Sequence, residues 1–286
     1  MSGRTWVVCR LREWRGLSGR VALFVYRRQR EPFGRWIHEH VSSLDVELVR
    51  VRGIGEHDEL TRAGLERLFA AAPAEMFPWL KRSLLRFQGM PHVARYFHYD
   101  AYLAAHSSFT GVLLTDVRDV VFQDDPFLGL DQGLFVGMES PQLTIASGVI
   151  NRGWMRDAYG DAMLERLGDR QVSCSGVTLG DGVAIRRYVD LMLQEISYFP
   201  FSKMKSRSYD QVFHNKLLHC GEMGEVHLCQ PLESVIATVA CLGPAQLLLS
   251  PHGMLLNDDG RIPAIVHQYD RHPALVEAFH SRISAR

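Results

Sequence analysis

The stretch from Gly111 to Phe127 constrains this chain more than any other. Val112–Leu113–Leu114 is an unbroken apolar run, too short to span a membrane and suited to a strand buried on both faces. Acid then appears abruptly at Asp116 and Asp119, and Pro126 bars further regular pairing. Carboxylates released at the carboxyl end of a buried strand stand where open α/β sheets hold their ligands. Two carboxylates two or three residues apart can hold one hard divalent cation, and such a cation can hold a diphosphate. A plain strand end with a solvated acidic turn fits the same spacing, so spacing alone leaves both readings open.

The flanks alternate between strand and helix patterns. Val21 to Tyr26 reads as a buried strand, and Trp6 to Cys9 as an earlier strand or an edge-covering arm. Glu31–Pro32 opens a helix through Val41, because Pro is tolerated in a first turn, and Val46 to Val51 is the next strand. That β-α-β order predicts a right-handed crossover and parallel pairing. Helical spacing recurs over residues 58–72 and 79–88, and an aromatic helix spans His92 to Ala105 with Arg95 among its rings. Leu134 to Met138 reads as a strand, Met155 to Leu167 as a helix, and Gly182 to Ile196 as an amphipathic helix. The expected fold class is α/β, a single Rossmann-like domain over 1–286 with a mostly parallel sheet and helices on both faces.

Three further segments carry chemistry. Ser175–Gly176–Val177 is small enough to let backbone approach a ligand, or is an ordinary turn before a strand. Asp210 stands where an N-cap would, and capping does not explain why Gln211 and Asn215 share one helical face four residues apart. Ala264 to Pro273 repeats the central pattern, a short apolar run that ends in His267, and a histidine there suits a metal ligand. Lys203, Lys205 and Arg207 make residues 198–208 a solvated basic face, or a surface for an acidic substrate.

Charge excludes one class of partner. Lys plus Arg (32) equals Asp plus Glu (32), so no basic field gathers nucleic acid. The five cysteines show no CxxC pair, which favours reduced thiols and a cytoplasmic setting over a disulfide scaffold. No apolar run is long enough for a transmembrane segment or a signal peptide.

The order of these pieces resembles the nucleotide-sugar glycosyltransferases of GT-A fold, especially retaining family 8 and the related family 77. The resemblance covers residues from about 90 to 275 and rests on four motifs in sequence order. Thr115–Asp116–Val117–Arg118–Asp119 matches the family's DxD region, and Ser175–Gly176–Val177 its small-residue segment. Asp210–Gln211 with Asn215 matches its Asp-Gln helix start, and His267 its late metal ligand. It implies a donor-binding half over 20–140 and an acceptor and catalytic half over 141–275. It further implies transfer of a sugar from a UDP- or GDP-type donor to an unknown acceptor, with retention. Mn2+ or Mg2+ would then be held by Asp116, Asp119 and His267. Asp210 and Gln211 would be catalytic, and Arg95, Arg118, Ser175, Gly176, Asn215 and Tyr269 substrate-binding.

Two positions depart from the family pattern. The acid pair is DxxD, so either Asp119 serves as the second ligand or Arg118 itself neutralises the diphosphate. Cys174 stands where the family usually has Asn. A metal-dependent phosphoryl or nucleotidyl transferase would also use an acid pair and a histidine, but residues 26–35 lack a glycine-rich phosphate loop. An inactive nucleotide-sugar-binding module is the non-enzymatic alternative.

Overall fold

The computed structural model describes residues 20–26, 35, 45–51, 53, 61, 64, 78–88, 91–106, 109–200 and 209–284. The strand expected at 6–9, the basic positions 203–207 and all but isolated positions of the helices expected at 31–41 and 58–72 lie outside the described residues. Strands β1 (Arg20–Tyr26) and β2 (Asp45–Val51) pair in parallel, as a β-α-β order requires. Helices α1 (Pro78–Gln88) and α2 (Pro91–Ala105) follow. Phe24 of β1 meets Tyr99 and Tyr102 of α2 edge-on, which seats the strand pair against that helix.

The centre is a four-stranded sheet in the order β3 (Gly111–Thr115), β6 (Ser173–Asp181), β5 (Leu134–Met138), β7 (Val226–Cys229). A three-stranded sheet has the order β4 (Val120–Phe122), β11 (Ile265–His267), β8 (Ile236–Thr238). The short strands β9 (Leu248–Leu249) and β10 (Leu255–Leu256) pair antiparallel. The remaining helices are α3 (Val149–Leu167), α4 (Gly182–Tyr198), α5 (Asp210–His219) and α6 (Pro273–Ser284).

The expectation of a mostly parallel sheet is corrected. β6 runs antiparallel to both β3 and β5, and only β5 and β7 are parallel within the larger sheet. The reason is visible in the connection from β5 to β6. Backbone bonds from Glu139 to Val172, Val172 to Leu143 and Ile145 to Arg170 zip its two limbs together. Helix α3 is therefore an insertion in an antiparallel hairpin, not a crossover. β3 also differs from expectation: it is half-buried along its length because it forms the sheet edge.

Alternation along β5 sorts the core. Leu134, Val136 and Met138 face α2, α4 and α5, joining Tyr96, Ile185, Met192 and Phe213. Phe135 faces the other way, with Val177 and Leu179, toward Val120, Ile236 and Ile265 of the smaller sheet. The second face of the larger sheet is thus covered by strands, correcting the expectation of helices on both faces. The sheets touch closely: a Cβ at Gly137 would lie 2.6 Å from Thr238 Oγ1. Beyond the smaller sheet, Val121, Ala237 and Val266 pack with Leu275 and Phe279 of α6. Among the described residues, no helix is long and apolar enough to cross a membrane.

Helix α4 forms where the sequence calls for it. Asp181 caps it by accepting from the Val183 and Ala184 amides, and Ile185, Val189, Met192, Leu193 and Ile196 turn one face inward. A polar chain crosses the same core. Tyr96 and Tyr188 share a hydroxyl contact of 3.2 Å, Tyr188 meets His214 Nδ1 at 2.9 Å, and His214 Nε2 meets Ser173 Oγ at 2.9 Å. Ser173 Oγ donates to Gly137 O, so it accepts from Nε2–H, and Nδ1 accepts from Tyr188. Burial pushes His214 down from 6.5 to about 3, which keeps it neutral.

A depressed imidazole contributes stability that is present above its ordinary value and lost as pH falls toward its folded value. His214→Gln should lower the melting temperature at pH 7. It should also flatten the fall in stability between pH 6.5 and 3 by about one proton of linkage, as read from melting temperature against pH.

Candidate metal centre

The site forms where the chain crosses from one sheet to the other. Asp116 follows β3, and its amide donates to Gly176 O at 2.7 Å. Asp119 immediately precedes β4 in the smaller sheet, and its carbonyl accepts from the Gln268 amide at 2.6 Å. His267 ends β11, in register with Val120 of β4. One ligand atom from each of Asp116, Asp119 and His267 lies within 4.8 Å of the other two. Asp119 and His267 are buried, and the Asp116 side chain is about a quarter exposed.

Strand β6 brings the fourth wall. Val136 stands opposite Thr178 and Met138 opposite Ser173, so two steps along β5 span five along β6. That bulge adds an odd number of residues and exchanges the faces of the strand. Ser175 turns toward α5, whereas Gly176 turns toward the smaller sheet. A Cβ at Gly176 would lie 2.6 Å from His267 Cε1, 2.7 Å from its Nε2 and 2.8 Å from Asp116 Oδ2. Only glycine leaves that space open. Of the two readings of this segment, the ordinary turn is not what forms: Ser175–Gly176–Val177 lies inside a bulged strand.

The residues fit a divalent cation. Both ring nitrogens of His267 are buried without a hydrogen-bond partner among the described residues, although an unsatisfied buried polar group costs about 1–3 kcal/mol. Two carboxylates and one imidazole are a donor set that divalent metal ions accept. Burial raises the Asp119 carboxyl above its ordinary range; His267 and Arg118 pull it down, and Asp116 and Asp270 push it up.

Arg95 of α2 joins this cluster to α5. Its Nη1 lies 2.5 Å from Asp116 Oδ1, and its Nη2 lies 2.7 Å from Asp210 Oδ2 and 3.1 Å from Ser175 O. Burial works against the guanidinium charge, but the fields of Tyr96, Asp116 and Asp210 outweigh it and hold the pKa well above the usual arginine value. Ser175 Oγ also donates to Asp210 Oδ2 at 3.0 Å. Asp210 is not the N-cap: Tyr209 holds that position, and the Asp210 carboxylate is committed to Arg95 and Ser175. Gln211 Nε2 donates to Asn151 Oδ1 at 2.9 Å. Arg118 is half-exposed, 3.4 Å from Asp270 and 3.9 Å from Asp119.

Two expected substrate contacts are placed elsewhere. Asn215 is 2% exposed, and its amide is spent on Ser173 N, Ser173 O and Gln211 O, clamping α5 to β6. Tyr269 packs edge-on against Phe279 in the core beneath the smaller sheet. Two polar residues outside the expected set neighbour His267, Gln268 in sequence and Glu139 through its field. Gln268 holds φ 61° and ψ 29°, a left-handed conformation uncommon outside glycine, and its Oε1 is buried without a partner among the described residues. Glu139 follows β5, is 5% exposed, and its Oε2 likewise lacks a partner there. An acid at a buried strand end was the signal that drew attention to Asp116, and it applied to Glu139 too.

Neither a scan against protein-family models nor a search of curated proteins finds a match to this chain.

A raised carboxyl favours the folded state while protonated and loses that contribution as pH rises through its folded value. Asp119→Asn should therefore melt higher than the native chain in EDTA at pH 7, with the gap closing as pH falls toward 4. Mn2+ should raise the melting temperature of the native chain and not that of the variant. Gly176→Ala should lose the Mn2+ response as well, because its methyl group would occupy the cradle.

Proposed function

We propose that this chain is a GT-A-type glycosyltransferase that moves a sugar from a nucleoside-diphosphate sugar to an acceptor hydroxyl, assisted by Mn2+ or Mg2+ and with retention. One observation carries the reading: Asp116, Asp119 and His267 converge within 4.8 Å, from two separate sheets, around a gap that glycine keeps open. The ordered resemblance to families 8 and 77 supplies the reaction class, and the geometry supports it by joining three of the four motifs at one place and setting the Asp-Gln helix start beside them.

Departure of a nucleoside diphosphate requires stabilisation of developing negative charge on phosphate oxygens. A divalent ion held by Asp116, Asp119 and His267 would supply Lewis-acid stabilisation of that charge. Arg118 is half-exposed beside the cluster and can add a charge-assisted contact to a phosphate oxygen. Asp210, buried and oriented by Arg95 and Ser175, presents a fixed negative charge suited to an oxocarbenium-like centre. Gln211 follows it on the same helix turn and positions the sugar. Asn215 and Tyr269 hold the frame in this reading. The described cysteines are free thiols, which suits a cytoplasmic setting.

The test is a thermal-shift series with UDP- and GDP-sugars, each in Mn2+ and in EDTA. A donor at a hundredfold excess over its Kd stabilises by about 2.7 kcal/mol. The expected result is a shift that needs one nucleotide sugar and Mn2+ together and disappears in Asp119→Ala. A shift that persists in EDTA would move the charge role to Arg118. No shift with any donor would refute the reading.

A further inference from the structure

The Arg95 guanidinium is shared between two carboxylates from different elements. Nη1 contacts Asp116 Oδ1, while Nη2 contacts Asp210 Oδ2 and the carbonyl of Ser175. The other Asp116 oxygen, Oδ2, lies on the Gly176 side, where His267 Nε2 also points. Asp116 therefore divides its two oxygens between a resident cation and the cradle for a second one. The side chain of Arg95 is only 13% exposed, and its Nε is buried without a partner among the described residues. Water therefore screens this pairing little.

That division has an electrostatic consequence. A divalent ion placed between Asp116 Oδ2, Asp119 and His267 draws on the same carboxylate charge that holds Nη1. It also repels the guanidinium a few ångströms away. Asp210 and Ser175 O retain Nη2, so Arg95 stays in place while one arm loses its partner. The freed N–H then faces a site whose acidity the divalent ion has offset, so a polyphosphate is no longer repelled.

Resting on the cation site of the reading above, we propose that Arg95 is a built-in counter-cation. It competes with the divalent ion for Asp116 and passes one arm to a polyphosphate ligand once that ion binds. Divalent ion and polyphosphate then reinforce one another's binding through a single side chain. Asp210 sets the balance, because it is the carboxylate that keeps Arg95 from settling wholly on Asp116.

Two titrations of the full chain test this: Mn2+ alone, and a preformed one-to-one complex of Mn2+ with inorganic pyrophosphate. An opposite charge beside a carboxylate shifts its coupled equilibria by about one to three decades. Arg95→Gln should bind Mn2+ alone about tenfold more tightly, yet bind the pyrophosphate complex more weakly than the native chain. Asp210→Asn should bind Mn2+ alone more weakly, although Asp210 is not among the ligands. Melting curves establish that both variants fold. A merely structural role for Arg95 would weaken both ligands together, and that result overturns the proposal. Native Mn2+ binding that is unchanged in Arg95→Gln overturns it alone and leaves the cation site standing. No Mn2+ binding by the native chain overturns both.

Discussion

The bulge in β6 is the constraint on which the site depends. The strand is hydrogen-bonded to β3 on one edge and β5 on the other, and eight of its nine residues are buried. Counted from Thr178, regular alternation would put Ser175 and Gly176 on the opposite faces to those they occupy, and the extra residues before Thr178 reverse that. Without that reversal Ser175 would lose Asp210, and a side-chain-free position would no longer face His267. The bulge is anchored below by Asn215, which binds both backbone groups of Ser173. A strand paired on both edges is a more precise support for a site than a loop.

The polar chain from Tyr96 to Ser173 stiffens the same region from the helical side. It links α2, α4, α5 and β6 through one neutral histidine whose two nitrogens each have a defined role. A fully satisfied buried network specifies one arrangement of the elements that share it. Arg95 immediately precedes Tyr96 on α2, and Asp210 begins the helix that carries His214. The network therefore fixes the separation between the helices that supply the two halves of the Arg95–Asp210 pair. Burying an arginine and two carboxylates is costly, and such pairs are tolerated where geometry leaves few polar atoms unpaired. The orphaned Arg95 Nε shows that the pairing is incomplete among the described residues.

Much of this was legible in the sequence because it follows from short-range pattern. The helices at 78–88, 91–105 and 182–198 appear where apolar spacing put them, and both strands of the parallel pair do too. Asp116 and His267 each follow a short apolar run and Asp119 directly precedes one, and that is a local signal. Sheet direction was not legible, because it depends on backbone bonds between limbs separated by a whole helix. The bulge was invisible for the same reason: nothing in Ser-Cys-Ser-Gly-Val says how many residues will lie opposite Val136 and Met138. The contacts of Asn215 were not legible, because a polar residue facing a polar neighbour looks the same whether it serves a ligand or a strand. Gln268 adopts its left-handed backbone under tertiary constraint, with no glycine or asparagine to mark it.

The unusual spacing of the acid pair has a physical reading once the two sheets are in view. A strict alternate pair would place both acids beside one strand end. Here the chain must leave the larger sheet at Asp116 and enter the smaller one at Val120, beside His267. The added residue lengthens the passage, so Asp119 arrives next to the strand that carries the histidine. Its carbonyl is then fixed by Gln268, the residue after that histidine, which locks the second acid to the imidazole through backbone alone. Arg118, left on the outside of the turn, is half-exposed and held loosely by Asp270. The DxxD spacing thus separates side chains that a shorter motif would bring to one strand end. The acids point inward, where three ligand atoms converge, and the arginine points outward and stays half-exposed.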